Sequence, residues 1–209
     1  MIIVHHLEES RSQRVLWLLE ELGLDYEVRR YARNPQTRLA PPELKAIHPL
    51  GKSPVLERDG KTYAESGAII EYFAETEAGG KLAIPSGDPA RADYLYWLHF
   101  AEGSAMLPLL LKLYVGLLGQ AGAPLMQARI EPEIEAHLAH ADAALGASDH
   151  FAGGRFTAAD IQMSFVLDAA AQRGGLSRFP NLVRARAANQ ARPAWRRALE
   201  KGGTYRLGQ

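Results

Sequence analysis

The stretch HPLGKSPVLERDGKTYAESGAIIEYF, residues 48–73, decides the fold. Pro49 stops any helix that precedes it, because the residue before a proline is pushed out of helical geometry. Pro54 opens a strand over residues 53–57. Arg58, Asp59 and Gly60 then supply a hairpin turn, with Asp-Gly as its strongest signal, and residues 61–64 return antiparallel. Ser66 stands where it can cap a helix whose apolar face runs through Ile69, Ile70 and Phe73.

Working outward toward the N-terminus, residues 41 and 42 are prolines placed as first-turn residues of a short helix. Before them, Tyr26 and Val28 alternate with charged residues over 25–31, which is strand periodicity. Val15, Leu18, Leu19 and Leu22 recur at helical spacing, and Gly23 sits where a left-handed C-terminal cap is expected. Ile2, Ile3 and Val4 read as a short buried strand. The order is strand, helix, strand, helix, strand, strand, helix, with too few strands for a doubly wound nucleotide fold.

Toward the C-terminus, EAGGKLAIPSGDPA (residues 77–90) is a Gly- and Pro-rich linker. Helices are expected beyond it at about residues 89–118, 124–145, 157–173, 180–190 and 193–201, several opening on Pro or Thr. The most apolar stretch, 106–118, is about 13 residues, broken by Pro108 and Lys112, against the ~20 that a membrane-spanning helix needs.

Bulk composition narrows the function classes. At 209 residues and 47% hydrophobic content the chain can bury a sizeable core. Lys plus Arg and Asp plus Glu are 24 each, so no long-range field favours nucleic acid or an anionic membrane. There is no cysteine, which excludes a disulfide framework, a thiolate metal site and a protein-thiol nucleophile. The N-terminus MIIVHHLEES lacks the pattern of a secretory signal. A soluble, cytoplasmic protein is expected.

Three clusters carry chemistry. Ser10 lies in the turn between the first strand and helix, either as a helix cap or as a hydroxyl that donates to an anion beside free N–H groups. In HPLGKSPVL, Ser53-Pro54 is either a tight turn into a strand or a cis peptide. In the second case Val55 can offer its N–H and C=O to an extended peptide, with Lys52 as partner for a carboxylate. Glu65 and Ser66 precede unpaired helical N–H groups. Glu65 suits an ammonium, and Ser66 with the helix end suits a carboxylate, although Ser66 can also be a cap alone.

Together these clusters resemble the glutathione transferase superfamily in order and spacing. SRSQRVLWLLEELGLDYEV, APPELKAIHPLGKSPVLE and AESGAIIEYF look like a bacterial and fungal branch, and WLHFAEGSAMLPLL and GRFTAADIQMSF continue the likeness over nearly the whole chain. The resemblance implies a thioredoxin-like α/β domain at residues 1–77, a linker at 78–88 and an all-α domain at 89–209. Ser10 takes the place of the thiol-activating hydroxyl, with Arg11 and Ser12 as alternates. Lys52 falls near the glycyl carboxylate, Val55 against the cysteinyl backbone, and Glu65 with Ser66 at the γ-glutamyl end. Arg38 is a second candidate cation for the glycyl end, or a solvated loop arginine. Lowering a thiol pKa from roughly 8.5 by two units takes about 2.7 kcal/mol, the size of one charge-assisted hydrogen bond plus a helix N-terminus.

In the helical part, Trp97, Leu107, Leu111 and Tyr114 lie where the superfamily lines its electrophile pocket, or are plain core. Thr157 and Asp160 have capping-box spacing and are assigned to folding, as Pro54 is. His137 and His140 are three apart but lack a completing ligand, so no metal is expected. The expected function is conjugation of the glutathione thiolate to hydrophobic electrophiles, with glutathione as substrate and no cofactor. The alternatives are a glutathione-dependent reductase of peroxides or disulfides, and a noncatalytic glutathione-binding module. The resemblance also implies a homodimer.

Overall fold

Six consecutive buried residues, Ile2–Leu7, form strand β1 at the heart of a four-stranded sheet. The computed structural model describes residues 1–119, 123–173 and 175–208. β1 pairs in parallel with β2 (Tyr26–Tyr31), Val4 opposite Val28, and antiparallel with β3 (Val55–Arg58), Val4 opposite Leu56. β4 (Lys61–Ala64) closes the sheet in the order β2-β1-β3-β4. The β3–β4 turn is made by Asp59 and Gly60, both at positive φ (51° and 78°), as a tight hairpin requires.

Helix α1 (Ser12–Leu22) follows β1, and Val15, Leu16, Trp17, Leu18 and Leu19 are all fully buried. Each such aliphatic side chain contributes about 1.5–3 kcal/mol of burial. Gly23, at φ 69°, ends the helix as its αL cap, with its N–H on the Glu20 carbonyl. The short helix α2 (Leu44–Ile47) precedes Pro49, and α3 (Ser66–Thr76) packs on α1 and β4. Ser66 is the first helical residue and not the cap: Glu65 occupies the N-cap position without a side-chain capping bond. The Ser66 hydroxyl is engaged elsewhere.

The second half is helical: α4 (Arg91–Phe100), α5 (Met106–Leu117), α6 (Ala123–Gly146), α7 (Ala158–Arg173), α8 (Pro180–Ala191) and α9 (Pro193–Gly202). Pro108 does not break the expected helix. A π-helical segment, Ala101–Ala105, joins α4 to α5, and its wider turn accommodates the proline, which lacks an N–H and crowds the carbonyl four residues back. The resulting run Arg91–Leu117 has 27 residues and mean hydropathy 1.3 in its most apolar window, enough by length and composition to cross a membrane. It packs on α6 and α7.

By contact, the described residues fall into two compact units, within 1–83 with 190–208, and within 84–189. The first therefore includes α9, which lies along α1 with Trp195 edge-on to Trp17 (ring centroids 5.0 Å, 87°). Glu20 accepts from Arg197 at 2.6 Å, and Glu21 from Arg192 at 2.6 Å. In the second unit, Asp160 accepts the Thr157 N–H at 2.8 Å and the Phe151 N–H at 3.1 Å, so it serves the head of α7.

Candidate functional site

The turn between β1 and α1 carries Ser10. Its hydroxyl accepts the Ser12 N–H at 3.2 Å and lies 2.7 Å from the Ser12 hydroxyl, both side chains buried. Ser12 Oγ in turn lies 2.8 Å from His6 Nδ1 and 3.2 Å from the Leu7 carbonyl. Arg11, at the N-cap position of α1, is half-buried. The turn itself is held from outside. Arg33 donates to the carbonyls of Glu8 and Glu9 at 3.0 Å each, while the Glu9 carboxylate accepts the Arg206 N–H at 2.7 Å.

The Ser53-Pro54 peptide is cis. Ser53 Oγ accepts the Leu7 N–H at 3.1 Å and donates to the His5 carbonyl at 2.8 Å. The serine side chain thereby continues the ladder of β1 beyond the last paired residue of β3. Val55 is 1% exposed and stands opposite His5 on one side and Ala64 on the other. That placement departs from the expectation that Val55 offers its main chain to a ligand, because an inner strand has no free edge there. Ser53 lies just ahead of the ladder.

Ser66, 4% exposed, heads α3 and accepts a hydrogen bond from Arg14 Nη2 at 3.2 Å. Glu65 is exposed, with φ 68° and ψ 115°. A non-glycine residue there costs about 1–3 kcal/mol and is found at ligand clamps. Lys52 and Arg38 are exposed. The Arg38 carbonyl accepts from Arg33 Nη1 at 2.9 Å.

The structure thus brings the three sequence clusters together: Ser10 in the turn before α1 and Arg14 in its first turn, Ser53 bonded to the end of β1, and Ser66 bonded to Arg14. Four contributors had not been singled out from sequence as site residues: His6, Glu9, Arg14 and Arg33. Strand alternation puts His6 on the face of Val4, opposite His5, but no local signal marks it as a neighbour of Ser12. His5 instead meets the Tyr31 hydroxyl at 2.8 Å. Burial, and next the positive charge of Arg30, push the His6 pKa down to about 4. The ring is neutral at physiological pH.

In the second unit, Trp97 is 5% exposed and packs on Tyr96, Phe100, His140 and Phe151, which makes it core. Leu107, Leu111 and Tyr114 are 56%, 37% and 55% exposed along one face of α5, so the expected pocket wall rests on these three. His140 bonds the Tyr96 hydroxyl at 2.9 Å, and His137 the Glu133 carbonyl at 2.6 Å.

Residues 10–76 match the family model described as glutathione S-transferase, N-terminal domain. Glutathione S-transferase 3 of Schizosaccharomyces pombe is 37% identical, over 96% of this chain and 88% of its own length. Among solved structures, a glutathione S-transferase from Actinobacillus pleuropneumoniae superposes with TM-score 0.89 at 30% identity, covering 100% of this chain and 96% of that one. A sphingomonad glutathione S-transferase complexed with glutathione superposes with TM-score 0.78 at 27% identity, over 96% and 98% of the two chains.

Proposed function

The chain belongs to the glutathione transferase superfamily and is a transferase that uses glutathione, and from that premise we propose that it activates the glutathione thiol at Ser10 and adds the thiolate to a hydrophobic electrophile. The observation that carries the reading is the pairing of two helix heads. Ser10 stands at the N-terminus of α1 and Ser66 at that of α3, and Arg14 links the two. Each helix head favours negative charge, a thiolate at the first and a carboxylate at the second.

In this reading the tripeptide lies extended across the two helix heads. Its γ-glutamyl carboxylate meets Ser66 and the free N–H groups of α3, and its ammonium meets Glu65. The cysteinyl main chain runs beside Ser53, ahead of β3, in place of Val55. Lys52, with Arg38 beyond it, faces the glycyl carboxylate. Ser10 donates to the sulfur and lowers its pKa. Leu107, Leu111 and Tyr114 supply apolar surface for the electrophile. The proposal extends to a detoxifying homodimer working in the cytoplasm. Sizing that finds only a 22.9 kDa species would count against the dimer.

The test is conjugation kinetics with a chloro-nitroarene alongside calorimetry with glutathione. Ser10→Ala is expected to lower kcat by about tenfold to a hundredfold, the worth of one hydrogen bond to a charged group, while glutathione still binds. Unchanged turnover would move the donor's role to Arg11 or Ser12. No association with glutathione in the wild-type protein would remove the site as drawn.

A further inference from the structure

We infer that His6 is a positioning residue for this reaction: from its Nδ1 it sets the direction of a two-hydroxyl chain, Ser12 to Ser10, so that the Ser10 proton points outward at the glutathione sulfur. The inference rests on the proposal that Ser10 is the thiol's donor.

Each hydroxyl has one proton and two acceptor lone pairs. The Ser10–Ser12 contact is 2.7 Å, too short for two oxygens without a proton between them. If Ser10 donates outward to sulfur, that proton has to come from Ser12. Ser12 then has none left for His6 or for the Leu7 carbonyl, so the 2.8 Å contact with His6 Nδ1 is made by a proton on the imidazole. The chain reads Nδ1–H to Ser12 to Ser10 to sulfur. Ser10 Oγ then accepts twice, from Ser12 Oγ and from the Ser12 N–H at 3.2 Å, and its own proton is left for the ligand.

The opposite tautomer reverses the chain. With the proton on Nε2, Nδ1 accepts from Ser12, Ser12 accepts from Ser10, and the Ser10 proton is spent inward. The surroundings of the ring favour the first arrangement. His6 is 1% exposed, and Nε2 has no hydrogen-bond partner among the described residues. Orphaned buried N–H groups are rare in folded proteins, and under-satisfied acceptors are less so. The ring is also wedged: a methyl group on Gly202 would come within 3.3 Å of Nε2 and 2.8 Å of Gln13 Oε1. Because the ring is neutral, it carries one proton. With that proton on Nδ1, Ser12 can give its own to Ser10 at 2.7 Å or to the Leu7 carbonyl at 3.2 Å, and an anionic sulfur beside Ser10 favours the first, since a hydrogen bond to a charged group is worth more than a long one to a carbonyl. No net proton moves through it, and the thiol's own proton leaves to solvent. Successive hydrogen bonds polarise one another, which strengthens the outermost donor toward an anion.

The readout is the ultraviolet absorbance of thiolate in the glutathione complex, titrated with pH, with binding of S-methylglutathione as the measure of an intact site. His6→Leu is expected to hold about threefold to tenfold less thiolate at neutral pH, while S-methylglutathione binds as before. His6→Asn, whose Nδ2–H stands in for Nδ1–H, is expected to restore it. Ser12→Ala removes the inward acceptor of the Ser10 proton together with its inward donor, so His6→Leu is expected to change the thiolate little in that background. His6→Asn keeps the test available if His6→Leu does not fold. Unchanged thiolate in His6→Leu, or as large a loss from His6→Leu in the Ser12→Ala background as in the wild type, overturns the inference and leaves Ser10 in place where Ser10→Ala lowers the thiolate. Failure of His6→Asn to restore the thiolate also overturns it, because the ring would then act by packing. Unchanged thiolate in Ser10→Ala sinks the Ser10 assignment and this inference with it.

Discussion

Arg14 Nη2 donates to Ser66 Oγ at 3.2 Å, and the two residues are 1% and 4% exposed. The bond joins the first turn of α1 to the first residue of α3. A hydroxyl that accepts from a guanidinium keeps its own proton for another acceptor, and the positive charge behind it strengthens that donation. In the proposed site that acceptor is the γ-glutamyl carboxylate above the α3 N-terminus. Ser66→Ala is expected to raise the Kd for glutathione by about tenfold to a hundredfold, from about 1.5–3 kcal/mol for a hydrogen bond to a charged group. Calorimetry checks it. A change under about twofold would take Ser66 out of the site.

Lys52 tests the other end of the tripeptide. In the proposed pose it faces the glycyl carboxylate; it is exposed, so that attraction would work through water and be worth about 0.2–1 kcal/mol. Lys52→Ala is expected to weaken glutathione by at most about fivefold, and more at low salt. γ-Glutamylcysteine lacks the glycyl residue and should bind wild type and variant equally. An equal loss for both ligands would show that Lys52 serves the site by another route.

Much of this was legible before any coordinates, because it is written in local rules. Gly23 ends α1, Asp59-Gly60 turns the β3–β4 hairpin, and Pro49 limits α2, each through backbone preferences of one or two residues. The three clusters stand out because they sit at element junctions, Ser10 before α1, Ser53-Pro54 before β3 and Glu65-Ser66 at the head of α3. What local rules do not carry is contact between distant segments. Val55 reads as available until β1 and β4 are seen on either side of it. Ser53 reads as part of a turn until its hydroxyl is found bonding Leu7 and His5 in β1. The resemblance puts Trp97 at the electrophile pocket or in the core, and its ring neighbours show that it is core. The fit of α9 on α1 is equally nonlocal: Glu20 and Glu21 look like ordinary surface acids until Arg192 and Arg197 arrive from about 170 residues away.

Asp160 is a stability residue, and its removal should leave chemistry alone. Its carboxylate accepts the N–H groups of Phe151 and Thr157 and the Thr157 hydroxyl, all buried. Asp160→Ala strands those donors, at about 3 kcal/mol in total. For a chain of this size about 1 kcal/mol shifts Tm by roughly 2–4 °C, so a fall of about 6–12 °C is expected. Turnover per folded molecule should stay at the wild-type value below the transition. A loss of kcat in folded protein would give Asp160 a part in the site.

The α1–α9 contact should answer to acid through Glu20. Burial favours the neutral form of this carboxylate, but hydrogen bonds from Lys201, Arg197 and Tyr26 outweigh it and hold the pKa below the ordinary value of 4.5. A group whose folded-state pKa is depressed contributes stability above its unfolded pKa and loses that contribution as pH falls through the folded one. Glu20→Gln keeps the shape and removes the charge. It is expected to be less stable than wild type by about 1 kcal/mol near neutrality, the upper end for a partly exposed ion pair. The gap should close as the pH is lowered through the carboxylate range. Denaturant unfolding of both proteins across that range checks it. A gap that persists in acid would mean that the carboxylate holds α9 by shape and hydrogen bonding without its charge, because the wild-type side chain is then as neutral as the glutamine.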